Sequence, residues 1–362
     1  MNFGIQLGFL QTKMPPLVGV DISTSSVKMV ELRKLPKNAG YVVDHYAIEQ
    51  LPKDAVSDGN INNLDAVSET LQRAWQRLGS RIKNVALALP AVAVITKKIL
   101  LPAGMSEEDL EEQVESEANQ YIPFALEEVN LDFQVIGPAP KNAEAVEVLL
   151  AVSRKANVED RVAVAQAAGL KAVVVDVEPY ATETAFEQIR TQLADEVADK
   201  CVALIDIGAT VMHMNVLRNG QSVYTQDQQI GGNQLTQHIQ ELFGLTVEEA
   251  ESAKRNGGLP DNYERDVLSP FRENVVTEIV HALQLFFNST QYNGVATIVL
   301  AGGCAVLPGL DDAVATRTKI STTVANPFAL MTLSSRIKPR QLQADAPSLI
   351  VACGLAMRRF DP

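Results

Sequence analysis

Short apolar runs bounded by small polar residues alternate along this chain with stretches whose apolar residues recur every three or four positions. That alternation predicts buried strands interleaved with amphipathic helices, an α/β fold. Residues 17–33, LVGVDISTSSVKMVELR, and residues 202–218, VALIDIGATVMHMNVLR, carry one pattern twice. Each opens on an apolar run, passes through Asp-Ile and a turn of small residues, and closes on a second apolar strand ending in Arg. Asp21 aligns with Asp206, and Ser23-Thr24-Ser25 with Gly208-Ala209-Thr210. Two such hairpins far apart in the chain predict two related domains facing each other, and no short repeat period suggests a solenoid.

Between the hairpins, YVVDHYAIEQL reads as a strand and LDAVSETLQRAWQRLG as a helix with Leu64, Val67, Leu71, Trp75 and Leu78 on one side. Trp75 is then a core residue. VALALPA returns as a strand. Residues 93–173 read as an insert with its own pattern: a strand, then a helix through EEDLEEQVESEANQYI, two strands and a second helix. Ser106 offers the acidic helix an N-cap, with Asp109 three residues on. Leu110, Val114, Ala118 and Tyr121 form its narrow apolar stripe. The expected division is an extension over 1–16, a first domain from 17–92, 174–200 and 340–362, the insert, and a second domain over 201–339. In that second domain a long helix from Pro270 to Tyr292 carries Val275, Ile279, Leu283 and Phe286, and residues 344–359 suggest a last helix returning to the first.

Composition narrows the class. With 362 residues, at about 150 per domain, the chain holds two to three domains. It is 46% hydrophobic and carries 31 Lys and Arg against 44 Asp and Glu, a formal charge of −13. An acidic surface repels phosphate backbones and argues against a dedicated nucleic-acid binder. Cys201, Cys304 and Cys353 are widely spaced, which suits reduced thiols in a cytoplasm, and the four scattered histidines spell no zinc site. No apolar run approaches a spanning helix, and the first residues lack a signal-peptide pattern.

The duplicated turns suggest anion chemistry. Small residues let backbone N–H groups approach a phosphate, and the hydroxyls of Ser23, Thr24, Ser25, Ser26 and Thr210 add donors. Asp21 and Asp206 are hard oxygen ligands for Mg²⁺, directly or through water. Lys28 aims a cation at the same place. Gly302-Gly303, followed by Cys304, ends a strand and could hold a flat adenine ring, though such a pair also serves any tight turn. Gly231-Gly232-Asn233 opens a helix. Glu251 and Lys254 share a helix face and read equally as a routine ion pair. Glu178, at a helix start, reads equally as a residue favoured by the helix dipole.

Asp-x-(small)-Thr…Lys, a second Asp-Ile-Gly-x-Thr and a late Gly-Gly…Leu-Pro-Gly-Leu together resemble the actin-type ATPase superfamily. GVDISTSSVKMVEL, EDLEEQVESEANQYIPFALEEVNLDF and VVVDVEPYA narrow the likeness to FtsA-like proteins, and within them to the PilM family of type IV pilus assembly proteins, over residues 17 to 359 or so. The resemblance implies an actin-like ATPase fold: two ribonuclease-H-like domains around a nucleotide cleft, with an FtsA-type inserted subdomain. It implies ATP or ADP with Mg²⁺ as cofactors, Glu178 positioning the attacking water, and Glu251 and Lys254 on the ribose and adenine. It implies a cytoplasmic protein held at the inner membrane by partners: the cytoplasmic N-terminal peptide of PilN, docked beside the insert, and other platform proteins, with self-association a variant. One departure stands out, Ser23 where the superfamily prefers Gly, and it favours binding over turnover. A nucleotide-independent adaptor and a small-molecule kinase are the competing functions. For the acidic helix, a solvated face competes with a docking surface.

Overall fold

Leu17 to Ile22 is apolar at every position except Gly19 and Asp21, so a strand here needs cover on both faces and neighbours on both edges. The computed structural model, which describes residues 14–36, 40–139, 142–193 and 199–360, provides both. It divides into two compact units. One contains the chain up to Glu31, Tyr46–Ala181 and the chain from Leu355; the other contains Leu32–His45 and Thr182–Gly354. Of the expected extension over 1–16, residues 1–13 lie outside the described residues.

In the first unit the strand Val18–Ile22 is buried throughout. It pairs antiparallel with the strand that begins at Ser26, Asp21 opposite Lys28, and parallel with Asn84–Leu89. Lys171–Val177 then pairs parallel with Asn84–Leu89. The helix Leu64–Leu78 covers this sheet, inserting Val67, Leu71 and Leu78 among Val18, Val20, Val85 and Leu87. Asn63 caps it by accepting a hydrogen bond from the Ala66 amide, and Gly79 ends it in a left-handed conformation. Trp75 packs at the edge of this core and donates its Nε1–H to the Ile82 carbonyl at 3.2 Å.

A three-stranded antiparallel sheet belongs to the same unit, with Asn142–Arg154 between Val94–Pro102 and Val129–Ala139. The helix Glu107–Ala118 closes its inner face, and Ile99, Leu101, Val114, Ala118, Val148 and Leu150 make a small core of their own. Ser106 Oγ accepts from the Asp109 amide at 3.2 Å, and Glu107, Glu108 and Asp109 fill the first turn, where the helix dipole favours negative charge. The apolar stripe holds for Val114 and Ala118 and fails for Tyr121. The helix stops at Ala118, so Tyr121 is 42% exposed, with Lys97 Nζ 5.0 Å from its ring centre. The stretch 93–173 thus divides by packing. The small core ends with the strand that closes at Arg154, while helix Lys155–Ala167 sets Val164 and Ala165 into the main core of the unit.

The second unit is built on a five-stranded sheet ordered Gln221–Gln228, Met212–Arg218, Cys201–Ile207, Thr297–Ala301 and Ser321–Val324. Its first hairpin repeats the register of the other unit, with Asp206 opposite His213. The helix Ser269–Ser289 buries Val275, Ile279, Leu283 and Phe286 against that sheet's core, as the sequence pattern predicts. Thr332–Leu333 pairs in parallel with Val42 and Val43. The helix Ile350–Met357 passes from the second unit to the first after Gly354. Among the described residues, no helix is long and apolar enough to cross a membrane.

Leu71 is fully buried and Leu100 is 61% exposed. Truncating Leu71 to Ala should cost the first unit about 2–5 kcal/mol, and Leu100→Ala less than about 0.5 kcal/mol. Denaturant titration followed by the fluorescence of Trp75, the only tryptophan, checks both.

Candidate functional site

The strand Cys201–Ile207 delivers Asp206 to its C-terminal end, and the turn that follows is assembled from several loops of the same unit. Gly208 donates its amide to Val211 O at 3.0 Å. Its own carbonyl accepts from Gly232 N at 3.0 Å, and Ala209 O accepts from Asn233 N at 2.8 Å. Gly231 lies so close that a Cβ there would stand 2.5 Å from the Ala209 carbonyl carbon. The next strand, Thr297–Ala301, ends beside Asp206, and Gly302 follows at φ +83° with its amide donating to Pro347 O at 2.8 Å. A Cβ on Gly302 would run into Asp206 Oδ1 and Ile207 O. Gly302 is therefore required by the protein's own backbone, whereas Gly303 is exposed and a Cβ there would meet nothing within 4 Å. Asp206, Gly208-Ala209-Thr210, Gly231-Gly232-Asn233 and Gly302-Gly303-Cys304 are thus brought together.

Glu251 and Lys254 join this group through a contact the sequence does not announce. Lys254 Nζ donates to Gly232 O at 3.3 Å, to Thr236 Oγ1 at 2.7 Å and to Glu251 Oε1 at 2.5 Å. Thr236 Oγ1 also lies against Glu251 Oε1 in a short hydrogen bond. Burial pushes the Glu251 carboxyl up, but the charge and hydrogen bond of Lys254, the Thr236 hydroxyl and the charge of Arg255 outweigh it and hold the group below its ordinary value. The Cys304 thiol contacts Gly208 O at 3.7 Å. Burial pushes it up to about 11; Lys254 opposes that shift, and Glu251 and Asp206 add to it.

In the first unit, the aligned turn is held by hydroxyls in place of glycines. Ser23 donates its amide and its Oγ–H to Ser26 O, both at 3.0 Å. None of Ser23, Thr24, Ser25 or Ser26 has a positive φ, so Ser23 stands without strain where Gly is common. Lys28 Nζ lies 2.8 Å from Asp21 Oδ2 and 3.1 Å from Ser23 Oγ, bracing the turn across the hairpin. In the second hairpin the aligned residue is His213, which pairs with Asp227 at 2.7 Å. Glu178 is the first residue of the helix Glu178–Arg190, directly after the strand Lys171–Val177.

Two residues escaped the sequence reading. Thr236 gave no signal, because a threonine inside a helix ordinarily bonds its own backbone, as Thr236 Oγ1 also does by donating to Gly232 O at 3.0 Å. Arg161 sits mid-helix and is 2% exposed. Its Nη2 donates to Gly59 O at 3.0 Å, while Nη1 has no partner among the described residues. Burial pushes its pKa down, and the charges of Glu178, Asp21 and Asp160 oppose that. The carboxylates carried over to the first unit, Asp21 and Glu178, therefore share the field of one buried guanidinium.

Replacing Gly302 by Ala should lower stability by at least ~1 kcal/mol, since both the left-handed φ and the contact with Asp206 resist a side chain, and Gly303→Ala should stay within ~0.5 kcal/mol. Chemical denaturation of the two variants checks the contrast. The three cysteines are buried, and burial raises all three thiol pKa values. Titration with a thiol-specific disulfide reagent at pH 8 should find no fast-reacting group in the native protein and three after denaturation.

Comparison with known proteins gives the arrangement its context. The chain is similar to the cell division protein FtsA of Enterococcus hirae, 26% identical over 343 residues, covering 82% of this chain and 74% of that one. Among solved structures it is similar to a PilM-PilN type IV pilus biogenesis complex, with 28% identity, a TM-score of 0.78, and coverage of 96% of this chain and 100% of that one. The ethanolamine utilization protein EutJ from Carboxydothermus hydrogenoformans shares the fold at 18% identity and a TM-score of 0.56, covering 96% and 93%. The fold is that of the actin-like ATPases. The model of the type IV pilus assembly protein PilM matches residues 19–360, and the chain belongs to that family.

Proposed function

We propose that the chain is the nucleotide-binding, actin-like component of a type IV pilus assembly platform, cytoplasmic and held at the inner membrane by the cytoplasmic N-terminal peptide of a PilN-type partner. The similarity to a PilM-PilN complex across 96% of the chain carries this reading. The peptide docks beside the three-stranded sheet and its acidic helix Glu107–Ala118, and bound nucleotide tunes its affinity.

In the second unit Gly208–Thr210 serves the phosphates, Glu251 serves the sugar, and Gly303 and Cys304 lie against the base; in the first unit Ser23–Ser26 and Lys28 are the candidate phosphate ligands. Supporting this, the aligned turns are both formed, and Gly303 offers bare backbone with nothing within 4 Å of where a Cβ would lie. Asp21 and Asp206 are each hard oxygen ligands of the kind that suits Mg²⁺ through its waters. Bound with ATP, Mg²⁺ neutralises phosphate charge. Glu178 orients a water for slow hydrolysis.

A ligand at a hundred times its dissociation constant stabilises its preferred state by ~2.7 kcal/mol, enough to bias a partner surface. Mg-ATP titrated calorimetrically into nucleotide-stripped protein should bind, and Asp206→Ala should abolish the heat. The PilN-type peptide should then bind with different affinity with and without ATP. No heat from well-folded wild type would reduce the protein to an actin-shaped adaptor. Equal peptide affinities would remove the nucleotide's regulatory role.

A further inference from the structure

The chain carries 44 acids against 31 Lys and Arg, yet two stretches reverse that balance. Residues 32–45 hold three Lys and Arg against one acid, Asp44, and residues 330–341 hold three against none. The two stretches are far apart in sequence, and the fold sets them side by side within one unit. Thr332–Leu333 pairs in parallel with Val42 and Val43. Ser334 then donates its amide to Val43 O at 3.1 Å and its hydroxyl to Asp44 O at 2.8 Å. Arg336 Nη1 donates to His45 Nε2 at 3.0 Å. Asp44 is itself matched by Arg33, whose Nε and Nη2 donate to its two oxygens at 3.0 and 3.2 Å. Lys34, Arg336, Lys338 and Arg340 are exposed. Leu330, two residues before the strand, is 67% exposed. Bases beside an edge strand ordinarily guard against edge-to-edge pairing. Here the strand is two residues long and ends at Leu333, so that purpose leaves Lys338 and Arg340 unexplained.

We propose that this basic face, with Leu330 beside it, lies directly on the anionic headgroups of a phospholipid bilayer. This contact adds to anchoring by a protein partner, and takes from the reading above only the location at the inner membrane. Headgroup charge is spread over a surface and acts within a Debye length, about 8 Å at physiological salt. At that range the local excess of base is felt, while acids on the rest of the chain are screened. An exposed leucine next to the bases suits the boundary between headgroups and acyl chains, which an acidic protein partner would not need. The contact can be weak, since a protein already held by a partner meets the headgroups at high effective concentration. Its effect would be to fix which face of this unit turns toward the bilayer.

Cosedimentation of the full chain with lipid vesicles, without nucleotide or peptide, tests this. Wild type should bind vesicles of phosphatidylglycerol and phosphatidylethanolamine in equal parts, should not bind phosphatidylcholine vesicles, and should be released by salt. Arg336→Glu/Lys338→Glu/Arg340→Glu should weaken binding to the anionic vesicles about tenfold or more. Lys53→Glu/Arg73→Glu/Arg81→Glu changes the total charge equally, at exposed positions of the first unit, and should weaken it less than about twofold. Equal losses in the two variants, or no binding of wild type to anionic vesicles, overturns the lipid contact. Neither result touches the nucleotide and peptide readings, which calorimetry tests separately. Retention of wild type on immobilised polyglutamate without vesicle binding also overturns it, and reassigns the face to an acidic protein. If the first variant does not fold, Lys338→Glu/Arg340→Glu decides: a loss under about threefold refutes the contact, and a larger one upholds it.

Discussion

A Cβ cannot be placed at Gly231 or at Gly302 without driving it into backbone of the strand end or turn at Asp206. The second unit's site depends on these two close approaches. With them, the Gly208 and Ala209 carbonyls are satisfied by Gly232 and Asn233, and the loop after Thr297–Ala301 lies against Asp206. Those two carbonyls are thereby paired by the protein itself, which holds the turn's shape before any ligand arrives. Glycine at these positions serves packing first; the open backbone at Gly303 is a separate feature.

The duplicated hairpin shows how one register can be stabilised in two ways. In both copies the aspartate faces the residue seven positions later, Lys28 or His213. Where that residue is lysine, it bridges Asp21 and Ser23 and braces a turn built from hydroxyls. Where it is histidine, it turns to Asp227, and the turn is braced from outside by Gly231-Gly232-Asn233. Serine at position 23 fits the first arrangement because that turn needs no positive φ, and its hydroxyl supplies a bond the turn uses. The departure from glycine is thus a change of bracing.

Much of this was legible in the sequence, for definite reasons. The hairpins were visible because a fully buried strand leaves a continuous apolar run, and the acidic helix because Ser106 and Asp109 mark its start. Trp75 packed against the core because its period matched its neighbours. Tyr121 was misplaced because the same period continues past Ala118, where the helix has already ended. The packing of Lys155–Ala167 on the main core was hidden, since a helix following an insert carries no mark of which core it joins. Thr236 and Arg161 were invisible for a related reason. Their roles come from partners distant in sequence, Glu251 and Lys254 for one and Gly59 for the other.

Lys254 illustrates how burial decides the partners of a lysine. Lys254 has only 15% of its side chain exposed, and an ammonium taken that far from water is tolerable only if its donors are matched. The acceptors are supplied by a helix start, a hydroxyl and a carboxylate, and each is fixed by the fold. Moving the ammonium toward a ligand would strand Glu251 and Thr236 together in a half-buried site, a loss that one new contact could not offset. The partners of Lys254 are therefore set by the packing around Gly232 and Thr236 as much as by its spacing from Glu251.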